Sequence, residues 1–163
     1  MKTLKALVLA AGVALAGGAS AAVDVKNPGF GWTYSPITYS HSAMGASSSA
    51  SLALYAYDVD YAAGERDLVE GWDAATSSWL SLGYLTGANG IYSTSTFSLM
   101  AGLLDDVATG LQVRVSPNSG WAVDTIQSTL TTTAAVPEAE TYALFAAGLG
   151  VLGWIGRRRK TQA

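Results

Sequence analysis

Cysteine is absent from all 163 residues, histidine occurs once, and charged residues make up only 13% of the chain. The first absence excludes disulfides, thiolate nucleophiles and cysteine-ligated zinc or iron–sulfur centres together. A lone histidine, His41, rules out a multi-histidine zinc centre. No Gly-x-Ser-x-Gly elbow accompanies it, so His41 reads as an exposed loop histidine and not as a hydrolase base. Neither a Gly-x-Gly-x-x-Gly nor a Walker loop precedes a helix, which removes the usual cradles for nucleotide phosphates. Basic residues are scarce in the middle of the chain. Between Val23 and Val136 only Lys26, Arg66 and Arg114 stand against Asp24, Asp58, Asp60, Glu65, Asp67, Glu70, Asp73, Asp105, Asp106 and Asp124. Three against ten gives about −7, and a domain so acidic repels nucleic acid. Paired carboxylates such as Asp58 with Glu65, or Asp105 with Asp106, invite thoughts of a glycosidase. A foldable stretch of roughly 110 residues leaves little room for a catalytic sugar cleft, and neighbouring acids on a strand point apart. No enzyme is expected.

What is present begins with the two ends. Lys2 and Lys5 lead into the apolar run Ala6 to Ala16, then the small residues Gly17-Gly18-Ala19-Ser20-Ala21-Ala22. A basic start, a short apolar middle and a small-residue exit predict a secretory signal peptide over 1–21, cut after Ala21 or Ala22. Its partner would be signal peptidase. At the other end Val136-Pro137-Glu138-Ala139-Glu140-Thr141 precedes the apolar run Tyr142 to Gly156 and the basic cluster Arg157-Arg158-Arg159-Lys160. Pro137 stops whatever element comes before it. As a helix, about 15 residues reach roughly 22 Å, short of a hydrocarbon core of about 30 Å. Gly148, Gly150, Gly153 and Gly156 loosen the helix further and allow close approach of another. The basic cluster holds the end on the cytoplasmic side. Such a span predicts a transient tether in the inner membrane.

This tail resembles the PEP-CTERM sorting signal of Gram-negative bacteria, sometimes placed under an ice-binding-protein C-terminal heading. Motif, apolar helix and arginine cluster occur in order, although Ala139 stands where the family usually has a second proline. The resemblance implies recognition near Pro137-Glu138 by an exosortase, a membrane transpeptidase-like enzyme, with Val136 completing the motif. It also implies association with the envelope or with secreted exopolysaccharide.

The middle, 22–135, alternates as strands do. Ser51 to Val59 sets Leu52, Leu54 and Ala56 on one face and aromatics on the other. Further strands are predicted at Asp67–Glu70, Trp79–Leu85, Tyr92–Leu99, Leu111–Val115 and Trp121–Thr131. Turn residues separate them at Ala63-Gly64, Thr86 to Gly90 and Ser116 to Gly120. One short helix is expected around Met100 to Val107, while Val25 to Ser49 reads as loop. The fold class is all-β, a single sandwich or jelly roll. The segments Asp58-Val59-Asp60, Gly64-Glu65-Arg66-Asp67 and Leu82-Gly83-Tyr84-Leu85-Thr86-Gly87 are similar to β-sandwich modules of other exported bacterial proteins with such tails. That resemblance supports a sandwich and implies no activity.

Two groups of side chains are candidates for function. Asp58, Asp60, Glu65 and Asp67 lie within ten positions of a strand end and a glycine turn. Crowded carboxylates repel, and a calcium ion relieves that cost by taking several oxygen ligands. The alternative is a solvated acidic turn softened by Arg66, and both stay open. The second group is aromatic. Trp32, Tyr34 and Trp72 fall in loop-like segments where rings are available to stack on sugars, whereas Trp79 and Trp121 fall in strand patterns and read as core. The expected function is an exported, non-enzymatic envelope or exopolysaccharide-matrix protein; the alternative is a carbohydrate-binding surface module, calcium-stabilised if the acids hold a metal.

Overall fold

Side-chain alternation builds the sandwich, and its clearest case is the strand Ser47–Tyr57. Leu52, Leu54 and Ala56 point inward and are buried, while Tyr55 between them is exposed. The computed structural model describes residues 21–29, 31–134 and 147–150. Eight strands run in order: β1 (Ala21–Lys26), β2 (Ile37–Ser40), β3 (Ser47–Tyr57), β4 (Leu68–Asp73), β5 (Ser78–Tyr84), β6 (Tyr92–Ser98), β7 (Gln112–Ser116) and β8 (Thr125–Ala134). A 3-10 turn at Ala101–Leu103 leads into the short helix α1, Leu104–Thr109. Residues 147–150 are helical and belong to a separate unit of the chain. Among the described residues no helix is long and apolar enough to cross a membrane. The expected signal peptide (apart from Ala21), the motif Val136–Glu138, the basic cluster and most of the expected helix lie outside the described residues.

The strands form two antiparallel sheets of four, ordered β1-β8-β3-β6 and β2-β7-β4-β5. First pairs with last, second with seventh, third with sixth and fourth with fifth. That is a long hairpin rolled over itself, the arrangement of an eight-stranded jelly roll. Leu52, Leu54 and Leu130 of one sheet face Val69, Val113 and Val115 of the other in a single core cluster, with Leu103 and Val107 closing one side. Close packing fixes certain glycines. A methyl on Gly71 of β4 would meet Leu103 Cδ1 at 2.7 Å, and one on Gly87 would meet Val59 Cβ at 2.9 Å.

Four differences from the sequence reading have physical causes. Val25 to Ser49, expected as loop, holds the end of β1, all of β2 and the start of β3. β1 and β2 are short, and Asn27-Pro28-Gly29 and Ser35-Pro36 around them dominate the local signal. Trp72, expected in a loop, sits in β4 and packs edge-on against Trp79 of β5, with ring centres 5.3 Å apart. Trp121, expected in a strand, precedes β8, which starts only at Thr125. His41 is not an exposed loop residue but a buried one.

Candidate functional site

The residues that line the candidate site sit in connections at one pole of the sandwich. Register defines the poles: Ala21 of β1 pairs with Thr133 of β8, and Ser47 of β3 with Ala134, at one end. At the other end β1 and β3 finish, while β6 and β8 begin. The loops there enclose a cleft of about 300 Å³. Trp32 and Tyr34 reach it from the connection after β1, and Trp121, Ala122 and Gly120 from the one before β8. Asp58, Asp60 and Glu65 line it from the β3–β4 connection, and Asn89 from the one before β6. Trp32 is 48% exposed and Tyr34 76%, so their rings face solvent.

Local chemistry explains the acidic side. Asp58 turns the chain at φ 60°, a left-handed conformation that Asp and Asn tolerate better than most residues. Its Oδ1 accepts the N–H of Gly90 across the cleft. A 3-10 turn at Tyr61–Ala63 ends on Gly64, left-handed at φ 108°, and swings Glu65 back so that Oε2 accepts the Asp60 N–H. Asn89 Nδ2 donates to Asp60 Oδ2 at 3.4 Å. Arg66 turns elsewhere. Its Nη1 donates to the Tyr61 and Glu65 carbonyls at 2.6 Å, and Cζ stacks 3.7 Å from the Tyr61 ring centre.

The four acids expected around one calcium ion are therefore divided. Asp58, Asp60 and Glu65 share the cleft, each receiving a neutral donor, whereas Asp67 does not line it. Asp67 is 0% exposed, and neither of its oxygens has a hydrogen-bond partner. Burial, with the Glu65 carboxylate beside it, pushes Asp67 up to about 8. Glu65 accepts the Asp60 N–H, while at Asp67 burial and Glu65 outweigh the nearby Asn118 N–H, so the proton belongs on Asp67. Among the described residues no group of three or more histidines or acids is arranged to hold a metal ion.

The aromatic candidates separate as well. Trp32 and Tyr34 line the cleft, joined by Trp121, whose strand-like surroundings in the sequence had suggested core. Trp72 lies outside it, and Arg114 covers its neighbour Trp79 with Cζ 4.3 Å from the ring centre. Trp32 also meets Tyr57 edge-on at 6.0 Å, and Tyr92 lies between Tyr57 and Tyr55 at 4.8 and 5.3 Å. Aromatic surface thus continues from the cleft along the outer side of β3 and β6.

A third group escaped the sequence. His41 Nδ1 lies 2.8 Å from Asp24 Oδ2, and Nε2 lies 2.9 Å from Ser128 Oγ. Burial lowers the His41 pKa against the opposing pull of Asp24, so the ring is neutral, donating from Nδ1 and accepting the Ser128 hydroxyl. The order acid, imidazole, hydroxyl matches that of a hydrolytic triad. Ser128 is nevertheless 0% exposed within β8, which is paired on both sides, so no substrate reaches it. The chain of bonds instead fastens β1 to β8 and to the end of β2, reinforced by Lys26 Nζ at 3.1 Å from Asp24 Oδ1. Residues 24, 41 and 128 are too far apart in the sequence to signal this.

Among solved structures the chain is similar to a family 35 carbohydrate-binding module from Clostridium thermocellum. Identity is 12%, over 68% of this chain and 86% of that one, with a TM-score of 0.41. A family 35 module from an environmental isolate gives 17% identity over 74% and 91%, also with a TM-score of 0.41. The xylan-binding module CBM15 gives 13% over 71% and 97%, with a TM-score of 0.40. No curated protein matches the sequence. One family model does match, at the end where motif, apolar run and arginines stand in order: the chain carries a PEP-CTERM protein-sorting motif at residues 135–160.

Proposed function

We propose that this chain is an exported, non-enzymatic surface protein whose sandwich binds glycan in the cleft at one pole. The observation that carries the proposal is the lining of that cleft, where Trp32, Tyr34 and Trp121 meet Asp58, Asp60, Glu65 and Asn89. Sugars offer C–H faces to aromatic rings and hydroxyls to carboxylates and amides, and a site combining both is suited to them. The sorting motif supports export, with signal peptidase acting at the front, an exosortase near Pro137-Glu138, and residence in the inner membrane only until processing. Exopolysaccharide at the cell surface is then the ligand within reach.

Retention of the full-length protein on the exopolysaccharide of its own cells tests this directly. Wild type should be retained and Trp121→Ala released, with both melting at the same temperature. Equal retention of the two would remove the cleft from the account. Failure of wild type to bind would leave a sorted envelope protein without a glycan ligand.

A further inference from the structure

Resting on that glycan reading, we infer that the cleft selects cationic sugars, N-deacetylated amino-sugar polymers, over uronate-containing or fully acetylated ones. Its charge is of one sign. Three carboxylates line it and no basic side chain does among the described residues. The ion pairs of the described residues lie elsewhere: Lys26 is on Asp24, and Arg114 is on Glu70. Arg66, the nearest cation in the sequence, spends its guanidinium on two carbonyls and the Tyr61 ring. The donors that reach Asp58, Asp60 and Glu65 are backbone N–H groups and one amide, none of which cancels charge.

A uronate entering this cleft brings a fourth carboxylate among three, and like charges at close range repel. An ammonium group is attracted twice, by the carboxylates and by the faces of Trp32 and Trp121. A neutral acetamido sugar gains the ring contacts and the hydroxyl hydrogen bonds, without attraction of charge. Of the three chemistries only the amine adds charge attraction to those contacts. The domain around the cleft has the same bias, with three basic residues against ten acidic ones from Val23 to Val136, which raises the local concentration of a polycation.

Calorimetry with the full-length protein in mild detergent would test this with defined oligosaccharides: a glucosamine hexamer, its N-acetylated counterpart, and a galacturonate hexamer with and without calcium. The glucosamine hexamer should bind about ten-fold tighter than the acetylated one, and that margin should shrink as salt rises from about 0.05 to about 0.5 M. In the double variant Asp58→Asn, Asp60→Asn the margin should fall to about two-fold or less. Asparagine suits the left-handed conformation at 58 and keeps an oxygen for Gly90, so this variant should fold, as its melting curve would verify. Equal or tighter binding of the acetylated hexamer, or a margin that survives the double substitution, overturns the amine preference and leaves glycan binding standing. Binding of galacturonate only with calcium overturns it in favour of a metal-bridged anionic glycan. No binding of any sugar by folded protein overturns the preference together with the glycan reading beneath it.

Discussion

Replacing Asp67 with asparagine should remove a pH dependence from the stability of the sandwich. In the unfolded chain an aspartate ionises near 3.9, whereas burial and Glu65 push the folded Asp67 up to about 8. Between those values the folded protein holds a proton that the unfolded chain has released. Rising pH therefore favours unfolding, by about 1.4 kcal/mol per unit for one proton. Four units set a ceiling of about 5 kcal/mol, which relaxation around the Glu65–Asp67 pair reduces. For a domain of this size 1 kcal/mol is worth about 4 °C, so Asp67 taken alone should lower the melting temperature by several degrees per unit above pH 5. Other acids act in the opposite direction. Asp24, raised by burial but lowered further by Ser42, His41 and Lys26, and Asp73, lowered by Thr76 and Ala75, stabilise the fold above pH 4 and lose that contribution below it. His41, whose pKa burial holds below the usual 6.5, favours the folded state as pH rises toward 6.5 and offsets Asp67 there, so the net fall is expected chiefly between about pH 6.5 and pH 8. Asparagine copies the shape of the protonated acid, so Asp67→Asn should match wild type at pH 5, melt well above it at pH 8, and lack the fall above pH 6.5. Calorimetric melts at half-unit intervals decide the matter. Parallel curves for the two proteins would refute the argument, and so would a large rise in melting temperature with calcium, which would put a cation where we place a proton.

Other substitutions follow from the packing. Gly87→Ala forces a methyl against Val59 Cβ and the Ser93 side chain, and should cost about 1–3 kcal/mol in denaturant melts; no loss would mean that the loop has room to yield. His41→Ala breaks the links to Asp24 and Ser128 and should cost about 2–4 kcal/mol. Hydrogen exchange should then rise first in β1, and uniform exchange across both sheets would contradict its role as a fastener. Trp72→Ala should weaken the β4–β5 hairpin yet leave glycan binding unchanged, and loss of binding would extend the site beyond the cleft. Mass spectrometry of the mature protein should find a C-terminus near Pro137; an intact Lys160 would indicate simple anchoring.

Much of the architecture was legible because period-two alternation is strong where one face is dry. Ser51 to Val59 and Leu111 to Val115 showed their inward leucines and valines directly. β1 and β2 were hidden, since a four-residue strand such as Ile37–Ser40 has too few positions to show a period. The acids and part of the aromatic set were visible as candidates, and Asp58, Asp60, Glu65, Trp32 and Tyr34 do meet. What the sequence withheld was which members face each other. Asp67 is two positions from Glu65 yet lies outside the cleft, and Trp72 and Trp121 exchange their expected places because strand register, not composition, decides which loop a ring emerges from.

The rolled topology also decides how the domain bears load. β8 is ten residues long and hydrogen-bonded on both sides, to β1 and to β3. The tail leaves directly after it, roughly 30 Å along the strand from the loops that form the cleft. A polymer held at the far pole and any pull on the chain at Ala134 would draw along the axis of β8, straining two ladders in shear at once instead of unzipping them bond by bond. Drag on a bound matrix would thus be met by a strand paired along both of its edges.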